Sequence, residues 1–144
     1  MSWACGYFER YPDIRRYMTQ CVALGKTQGY VSTLFGRRRY LPELNDRSYT
    51  VRQFGERAAM NSPIQGTAAD IIKLAMIRVH DALAVEFPAA KLLLQVHDEL
   101  IIEAPDADAQ AVASLVKACM QSIVSLSVPL VADVNIGRSW YDCK

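Results

Sequence analysis

The sequence is poor in cysteine and histidine, has no long apolar run and carries almost no net charge. Its four cysteines show no paired spacing and have no histidine beside them, so neither a zinc site nor a disulfide framework is expected. No apolar run approaches the roughly 20 residues that cross a bilayer, and no signal peptide opens the sequence. These shortages predict a soluble intracellular protein with reduced thiols and no membrane partner.

The charge that is present is unevenly distributed. Apolar residues make up 51% and charged residues 22%, which excludes a disordered chain. The net charge is only +1, yet residues 37–57 hold six arginines and three acids, whereas residues 91–144 hold four basic residues and seven acids. One end of the molecule is therefore suited to a polyanion and the other to a cation.

The stretch Lys91–Ala104 (KLLLQVHDELIIEA) has the pattern around which the rest of the chain is organised. Two apolar runs of strand length flank His97, Asp98 and Glu99, which predicts a β-hairpin with a charged tip. Among non-glycine residues, His, Asp and Asn enter the φ > 0 region of tight turns most readily. The tip is thus predicted to combine strain with reactive side chains, as functional sites often do.

A carboxylate at such a tip is a hard oxygen ligand suited to Mg²⁺. Successive strand residues point to opposite faces, so Asp98 and Glu99 cannot serve one ion equally, and a second acid from another segment is required. Taken alone, the three tip residues are more typical of a solvated hairpin turn.

The flanking patterns predict an α+β fold, an antiparallel sheet with a central β-hairpin packed against helices. Pro63 is expected to end or kink a helix, and Ser62 to Gln65 has the form of a capping box. The predicted elements are a helix from Pro12 to near Gly29, strands at 30–34 and 38–41, a loop at 42–46, helices at 47–61 and from 62 to about 86, a helix from Pro105, and a strand at 130–136.

Two groups of polar residues suit nucleic acid. Arg57, Asn61 and Gln65 are spaced i, i+4, i+8, and such donors can contact minor-groove acceptors common to every base pair. An ordinary polar helix face, with Gln65 only capping, is the alternative. Arg37 and Arg38 suit phosphate, although a solvated turn explains them equally well.

Three long motifs, in this order, resemble the C-terminal part of a family A DNA polymerase of the bacterial DNA polymerase I type. They are Gly29–Pro42 (GYVSTLFGRRRYLP), Glu56–Asp70 (ERAAMNSPIQGTAAD) and Gln95–Glu99 (QVHDE). The resemblance extends from about Tyr7 to Trp140.

The resemblance implies a role for each residue already singled out. Asp98 matches the palm aspartate that helps to bind two catalytic Mg²⁺ ions, Glu99 the less essential acid beside it, and His97 a residue near the primer terminus. Arg57, Asn61 and Gln65 match side chains on the minor groove of the primer-template. The implied partners are primer-template DNA and deoxynucleoside triphosphates, and the implied reaction is two-metal phosphoryl transfer during DNA replication and repair in the bacterial cytoplasm, close to the nucleoid.

The family also uses an upstream motif of the form Asp-Tyr-Ser-x-Ile-Glu and a fingers helix with a lysine and a tyrosine, and neither is present in this sequence. Asp13 also stands where the family commonly has glycine. Residues 1–144 are therefore expected to form a single partial domain that is inactive alone. Two alternatives stay open: a non-catalytic duplex-binding module, and a truncated fragment that self-associates through an exposed sheet.

Overall fold

A computed structural model describes residues 3–143, with side chains from residue 6 onward, and the chain forms two compact units, Met1–Thr67 and Ala68–Lys144. The elements in chain order are α1 (Trp3–Arg10), α2 (Pro12–Gln28), β1 (Tyr30–Ser32), β2 (Arg38–Tyr40), a 3₁₀ turn (Pro42–Asn45), α3 (Tyr49–Glu86), β3 (Lys91–Val96), β4 (Glu99–Glu103), α4 (Ala109–Gln121) and a 3₁₀ turn (Trp140–Cys143). No helix among the described residues is long and apolar enough to cross a membrane.

The first unit begins as the sequence predicts. Pro12 opens α2, and Gly29 ends it in the left-handed conformation with φ 77°, donating its amide to the Gly25 carbonyl at 2.9 Å. The predicted hairpin follows, with antiparallel pairing from Tyr30 with Tyr40 to Ser32 with Arg38. The predicted loop at 42–46 differs, because Pro42–Asn45 coils into a 3₁₀ turn.

The core of the first unit is formed by Val31, Leu41, Leu44 and Ala59. Leu44 is 1% exposed, and glycines let two helices approach it. A Cβ at Gly25 would lie 2.6 Å from Leu44 Cδ1, and one at Gly55 would lie 2.9 Å from the Leu44 amide nitrogen. Any larger residue at either glycine would push its helix away from Leu44.

The largest departure from the sequence prediction is α3, which continues through Pro63 as a helix of 38 residues. The predicted helix end and the Ser62 capping box are both wrong. Ser62 Oγ instead donates to the Ala58 carbonyl at 2.6 Å, one turn back within the same helix. Pro63 leaves the Ala59 carbonyl without its usual amide donor, but the helix persists because its flanking turns are packed and bonded.

The second unit contains the rest of α3, the β3–β4 hairpin and α4. Its core consists of Val79, Leu83, Ala90, Val112, Val116 and Cys119. In β3 the register shifts between Leu92 and Leu94, a β-bulge that leaves Leu93 and Leu94 half exposed (50% and 55%). The predicted self-association through this exposed sheet stays a prediction.

One predicted helix start and one predicted strand in the second unit are wrong. The helix expected from Pro105 begins at Ala109, after a turn in which the Asp108 amide donates to the Pro105 carbonyl at 2.9 Å. The strand expected at 130–136 does not form among the described residues, although burial alternates there: Leu130, Ala132 and Val134 are half-buried and the residues between them are exposed. The period-two pattern is present, but a strand also needs a partner that accepts its backbone hydrogen bonds.

The α+β class is confirmed. Among the described residues the sheet is not continuous but consists of two separate two-stranded antiparallel hairpins, β1–β2 and β3–β4. Cys21, Cys119 and Cys143 are free thiols.

Tyr17, on α2, gives a pH prediction. Burial raises the pKa of its hydroxyl from 10.0 to about 12, and the neighbouring Cys21 thiol, through a hydrogen bond and its charge, adds to the rise. Between these two values the unfolded chain has lost a proton that the folded chain keeps, so the free energy of unfolding is expected to fall as pH rises through this window and to be unaffected by Tyr17 below it. Urea unfolding of the wild type and of Tyr17→Phe across this pH window checks the prediction. The free energy of unfolding should fall less with pH in the variant than in the wild type. Equal declines would contradict it.

Candidate nucleic-acid interface and acidic hairpin tip

The acidic tip is a two-residue turn between β3 and β4. Val96 pairs with Glu99, so His97 and Asp98 form the turn itself. His97 has φ 53°, and it is the one non-glycine residue with positive φ in the described part of the chain. Its carbonyl accepts a hydrogen bond from Gln95 Nε2. The sequence prediction of a charged turn with a residue at positive φ is confirmed, and the turn places Asp98 at the end of the hairpin.

The side chains of His97, Asp98 and Glu99 are all exposed. Neither tip carboxylate forms an ion pair with another side chain of residues 6–143. An exposed carboxylate with no cationic partner can offer both oxygens to a hard cation such as Mg²⁺. The chemistry of Asp98 therefore fits one metal ligand.

A complete metal centre is not assembled by the described side chains. No three His, Cys, Asp or Glu side chains in this part of the chain lie close enough together to hold a metal ion. Mg²⁺ commonly takes only one or two protein carboxylates and completes its shell with water and substrate phosphate. Asp98, with Glu99 beside it, is therefore suited to supply part of such a shell.

Arg57, Asn61 and Gln65 are exposed residues of one continuous helix, α3. Because the helix does not end at Pro63, the i, i+4, i+8 spacing keeps the three side chains along one strip about 12 Å long. The strip carries a guanidinium and two amides. It can donate several hydrogen bonds to acceptors in a groove that follows the helix axis.

The β1–β2 turn lies against the last part of this strip. Thr67 Oγ1 donates to the Pro63 carbonyl at 2.6 Å and accepts the Leu34 amide at 2.9 Å. The Arg37 guanidinium donates to the Gly66 carbonyl at 2.9 Å. A Cβ on Gly66 would lie 2.6 Å from Thr33 Cγ2, so a side chain at this position would collide with Thr33.

A cleft of about 100 Å³ opens between the hairpin and the helix, and Arg37, Arg38 and Gln65 are among its lining residues. The guanidinium of Arg38 lies 4.6 Å from the centre of the Tyr30 ring, a cation–π contact that leaves its donors available to solvent or an anion. The structure thus brings the predicted phosphate and groove residues of the first unit together, while the acidic tip belongs to the second unit.

The sequence reasoning missed Thr33, Gly66 and Thr67, which hold the turn against α3. One signal was present: Gly66 directly follows Gln65 in an otherwise helical pattern, and a glycine inside a helix often marks a close approach. The spatial partner of Gly66 was not readable, because Thr33 lies 33 residues earlier in the chain.

Comparison with known proteins identifies relatives. The family model described as DNA polymerase family A matches residues 2–142. DNA polymerase I of Streptococcus pneumoniae serotype 4 is 50% identical over 138 residues, which are 96% of this chain and 16% of that protein. DNA polymerase I of Bacillus caldotenax is 52% identical and the thermostable DNA polymerase I of Thermus aquaticus 48% identical, with the same coverage. The chain spans about one sixth of the length of these relatives.

A solved structure has the same fold. It is the POL domain of Pol1 from M. smegmatis in complex with DNA primer-template and dNTP, with a TM-score of 0.91 and 45% sequence identity. The match covers 95% of this chain and 24% of that one.

Proposed function

The chain belongs to DNA polymerase family A, and we propose that it is a segment of a template-directed DNA polymerase that adds deoxynucleotides to a primer 3′-hydroxyl. The observation that carries the proposal is the family match, which covers nearly every residue at about half identity. The proposed reaction is attack of the 3′-hydroxyl on the α-phosphate of a deoxynucleoside triphosphate, with pyrophosphate as the leaving group.

We assign the metal-binding role in this reaction to the β3–β4 tip. Asp98 would hold Mg²⁺, with Glu99 beside it, and His97 would lie close to the primer terminus. Bound Mg²⁺ would favour the deprotonated 3′-hydroxyl and stabilise the charge that develops on the leaving pyrophosphate. The shortness of the turn supports this role, because a two-residue connection between paired strands restricts where Asp98 can lie, and a catalytic carboxylate must be held within a fraction of an ångström.

The primer-template would lie along the first unit. Arg57, Asn61 and Gln65 would donate to the minor-groove acceptors N3 of purines and O2 of pyrimidines, which are similar for all base pairs. Such contacts bind a duplex without reading its sequence, as a replicative enzyme requires. Arg38, whose guanidinium is stacked but not consumed by an ion pair, would contact a backbone phosphate.

The segment would act as part of a larger polymerase domain. The sequence has no Asp-Tyr-Ser-x-Ile-Glu motif and no nucleotide-binding lysine and tyrosine on a fingers helix, so the second metal carboxylate and the nucleotide contacts would come from elsewhere in the whole protein. We place that protein with DNA in the bacterial cytoplasm, in replication and repair.

The 144-residue chain alone is expected to bind a primer-template duplex and not to extend it. Binding should weaken as salt rises, because phosphate contacts release counterions, and extension should fail because one carboxylate pair cannot form the two-metal site. Fluorescence anisotropy on a labelled duplex and a gel assay with Mg²⁺ and all four deoxynucleoside triphosphates measure the two properties.

The outcomes separate the alternatives. Mg²⁺-dependent extension that Asp98→Asn abolishes would contradict the fragment proposal, because the second carboxylate would then come from within this chain. A non-catalytic binding module also predicts that Arg57→Ala weakens duplex binding and that Asp98→Asn does not. The module is excluded if a longer chain containing this segment extends primers and loses that activity on Asp98→Asn.

A further inference from the structure

Pro63 divides the strip of groove-facing donors. Arg57 and Asn61 precede it and Gln65 follows it, within one helix. Because proline lacks an amide hydrogen and its ring crowds the carbonyl of the residue four positions earlier, helices commonly bend at such a point. The position of Gln65 relative to Arg57 and Asn61 therefore needs support from outside the helix.

The β1–β2 hairpin contacts α3 on both sides of Pro63. On the N-terminal side, Val31 of β1 packs in the same buried cluster as Ala59, which is fully buried. On the C-terminal side, the Leu34 amide donates to Thr67 Oγ1 and the Arg37 guanidinium donates to the Gly66 carbonyl, both at 2.9 Å. One hairpin thus contacts the helix turns before and after the proline.

Hydrogen bonds within the hairpin loop fix its conformation. The Thr33 amide donates to the Arg37 carbonyl at 2.9 Å, the Gly36 amide donates to the Thr33 carbonyl at 3.0 Å, and the Arg37 amide donates to Thr33 Oγ1 at 3.2 Å. Gly36 has φ 82°, which closes the turn. These bonds fix the backbone conformation at Arg37, from which the side chain extends to the Gly66 carbonyl.

We propose that the β1–β2 hairpin holds α3 across Pro63, and that Arg37 is a positioning residue for Gln65 and not a ligand of DNA phosphate. Arg37 reaches the carbonyl next to Gln65, and Thr67 bonds the carbonyl two residues before it, so Gln65 lies between two anchored carbonyls. The inference rests on the proposed groove-binding role of Gln65, and it replaces the phosphate role that the sequence suggested for Arg37.

A double-mutant cycle on duplex affinity tests the proposal. Arg37→Ala, Gln65→Ala and the double variant of the 144-residue chain are titrated onto a labelled primer-template duplex over a range of salt. We expect each single variant to bind about three- to tenfold more weakly, the range for one lost hydrogen bond, and the double variant to bind no more weakly than the worse single. Arg37→Ala should leave the slope of log affinity against log salt unchanged, because no phosphate contact is lost.

Arg38→Ala is the matched control, because it removes the next arginine along the chain, the first residue of β2. It should lower the salt slope by about 0.9 and be additive with Gln65→Ala. The same reduced slope and additivity for Arg37→Ala would overturn the positioning role. A wild-type chain that fails to bind duplex at low salt would overturn the proposed function as well, so the two failures are distinguishable.

A second pair of variants keeps the proposal testable if Arg37→Ala unfolds the chain. Gly66→Ala places a methyl group against Thr33 Cγ2, and Thr33→Ser removes that carbon while keeping the hydroxyl that accepts the Arg37 amide. We expect Gly66→Ala to weaken duplex binding by about the same factor as Gln65→Ala, and the added Thr33→Ser to restore it. If Gly66→Ala binds like the wild type, or Thr33→Ser fails to restore binding, the hairpin does not position Gln65.

Discussion

Asp98→Asn, made in the longer polymerase chain of which we propose this segment is a part, is expected to slow primer extension by at least about a hundredfold to a thousandfold. Losing one preorganised group that stabilises developing charge typically has this effect, and Asp98 is the proposed metal ligand. Asparagine has the same shape but no negative charge, and Asp98 is exposed and not ion-paired within the described chain, so the fold should be unchanged. Single-turnover extension at saturating deoxynucleoside triphosphate measures the rate.

Two variants make the result specific. Asp106→Asn removes another exposed aspartate from the same unit, just beyond β4, and should leave the rate unaltered. Glu99→Gln should slow extension less than Asp98→Asn, because Glu99 is the first residue of β4 and the alternation of strand side chains turns it away from its neighbour. Extension by Asp98→Asn at the wild-type rate, with duplex affinity intact, would remove Asp98 from the metal site.

The acidic tip was predictable because its determinants are local. Two apolar runs define the strands, and the turn between them must accept a positive φ, which His97 adopts at 53°. The ends of α2 follow from Pro12 and Gly29 for the same reason. Each of these features depends on residues within a few positions of one another.

Pro63 illustrates where local reasoning fails. From sequence, a proline after Asn61 and Ser62 signals a helix end, and the pattern Ser62 to Gln65 matches a capping box. In the structure, Ala59 is fully buried before the proline, and Gly66 and Thr67 are bonded to the β1–β2 turn after it. Tertiary contacts over about 30 residues of sequence separation override the local preference, and a single sequence does not reveal them.

The prediction for Leu130–Ile136 is wrong in the opposite sense, because here the sequence predicts a regular element that does not form. Its alternation of half-buried and exposed residues agrees with a strand, but strand formation is a property of two segments and only one is present at that place among the described residues. The Arg37 side chain also has a distant partner that the sequence does not reveal, the Gly66 carbonyl to which its guanidinium donates. In both cases the missing information is the identity of a distant partner.

The proposed groove contact of Arg57 gives the second large expected effect. If its guanidinium donates to a purine N3, Arg57→Ala should weaken binding of a duplex by about ten- to a hundredfold, the range for a hydrogen bond from a charged donor. A duplex in which 3-deazaguanine replaces guanine lacks the N3 acceptor. The wild-type chain should bind this duplex more weakly by a similar factor. Arg57→Ala should then show almost no further loss on the substituted duplex.

Matched controls exist on both sides of this contact. 7-Deazaguanine removes a major-groove acceptor and leaves N3 intact, so it should change neither affinity nor the effect of Arg57→Ala. Arg16→Ala removes an exposed helix arginine of the same unit, whose side chain is 69% accessible and paired with Asp13, and it should bind each duplex with the affinity of the wild type. Additive losses from Arg57→Ala and 3-deazaguanine would mean that Arg57 attracts the duplex by charge alone. In that event the strip of α3 would bind the DNA backbone, and the fit of the base pair would be tested by other residues.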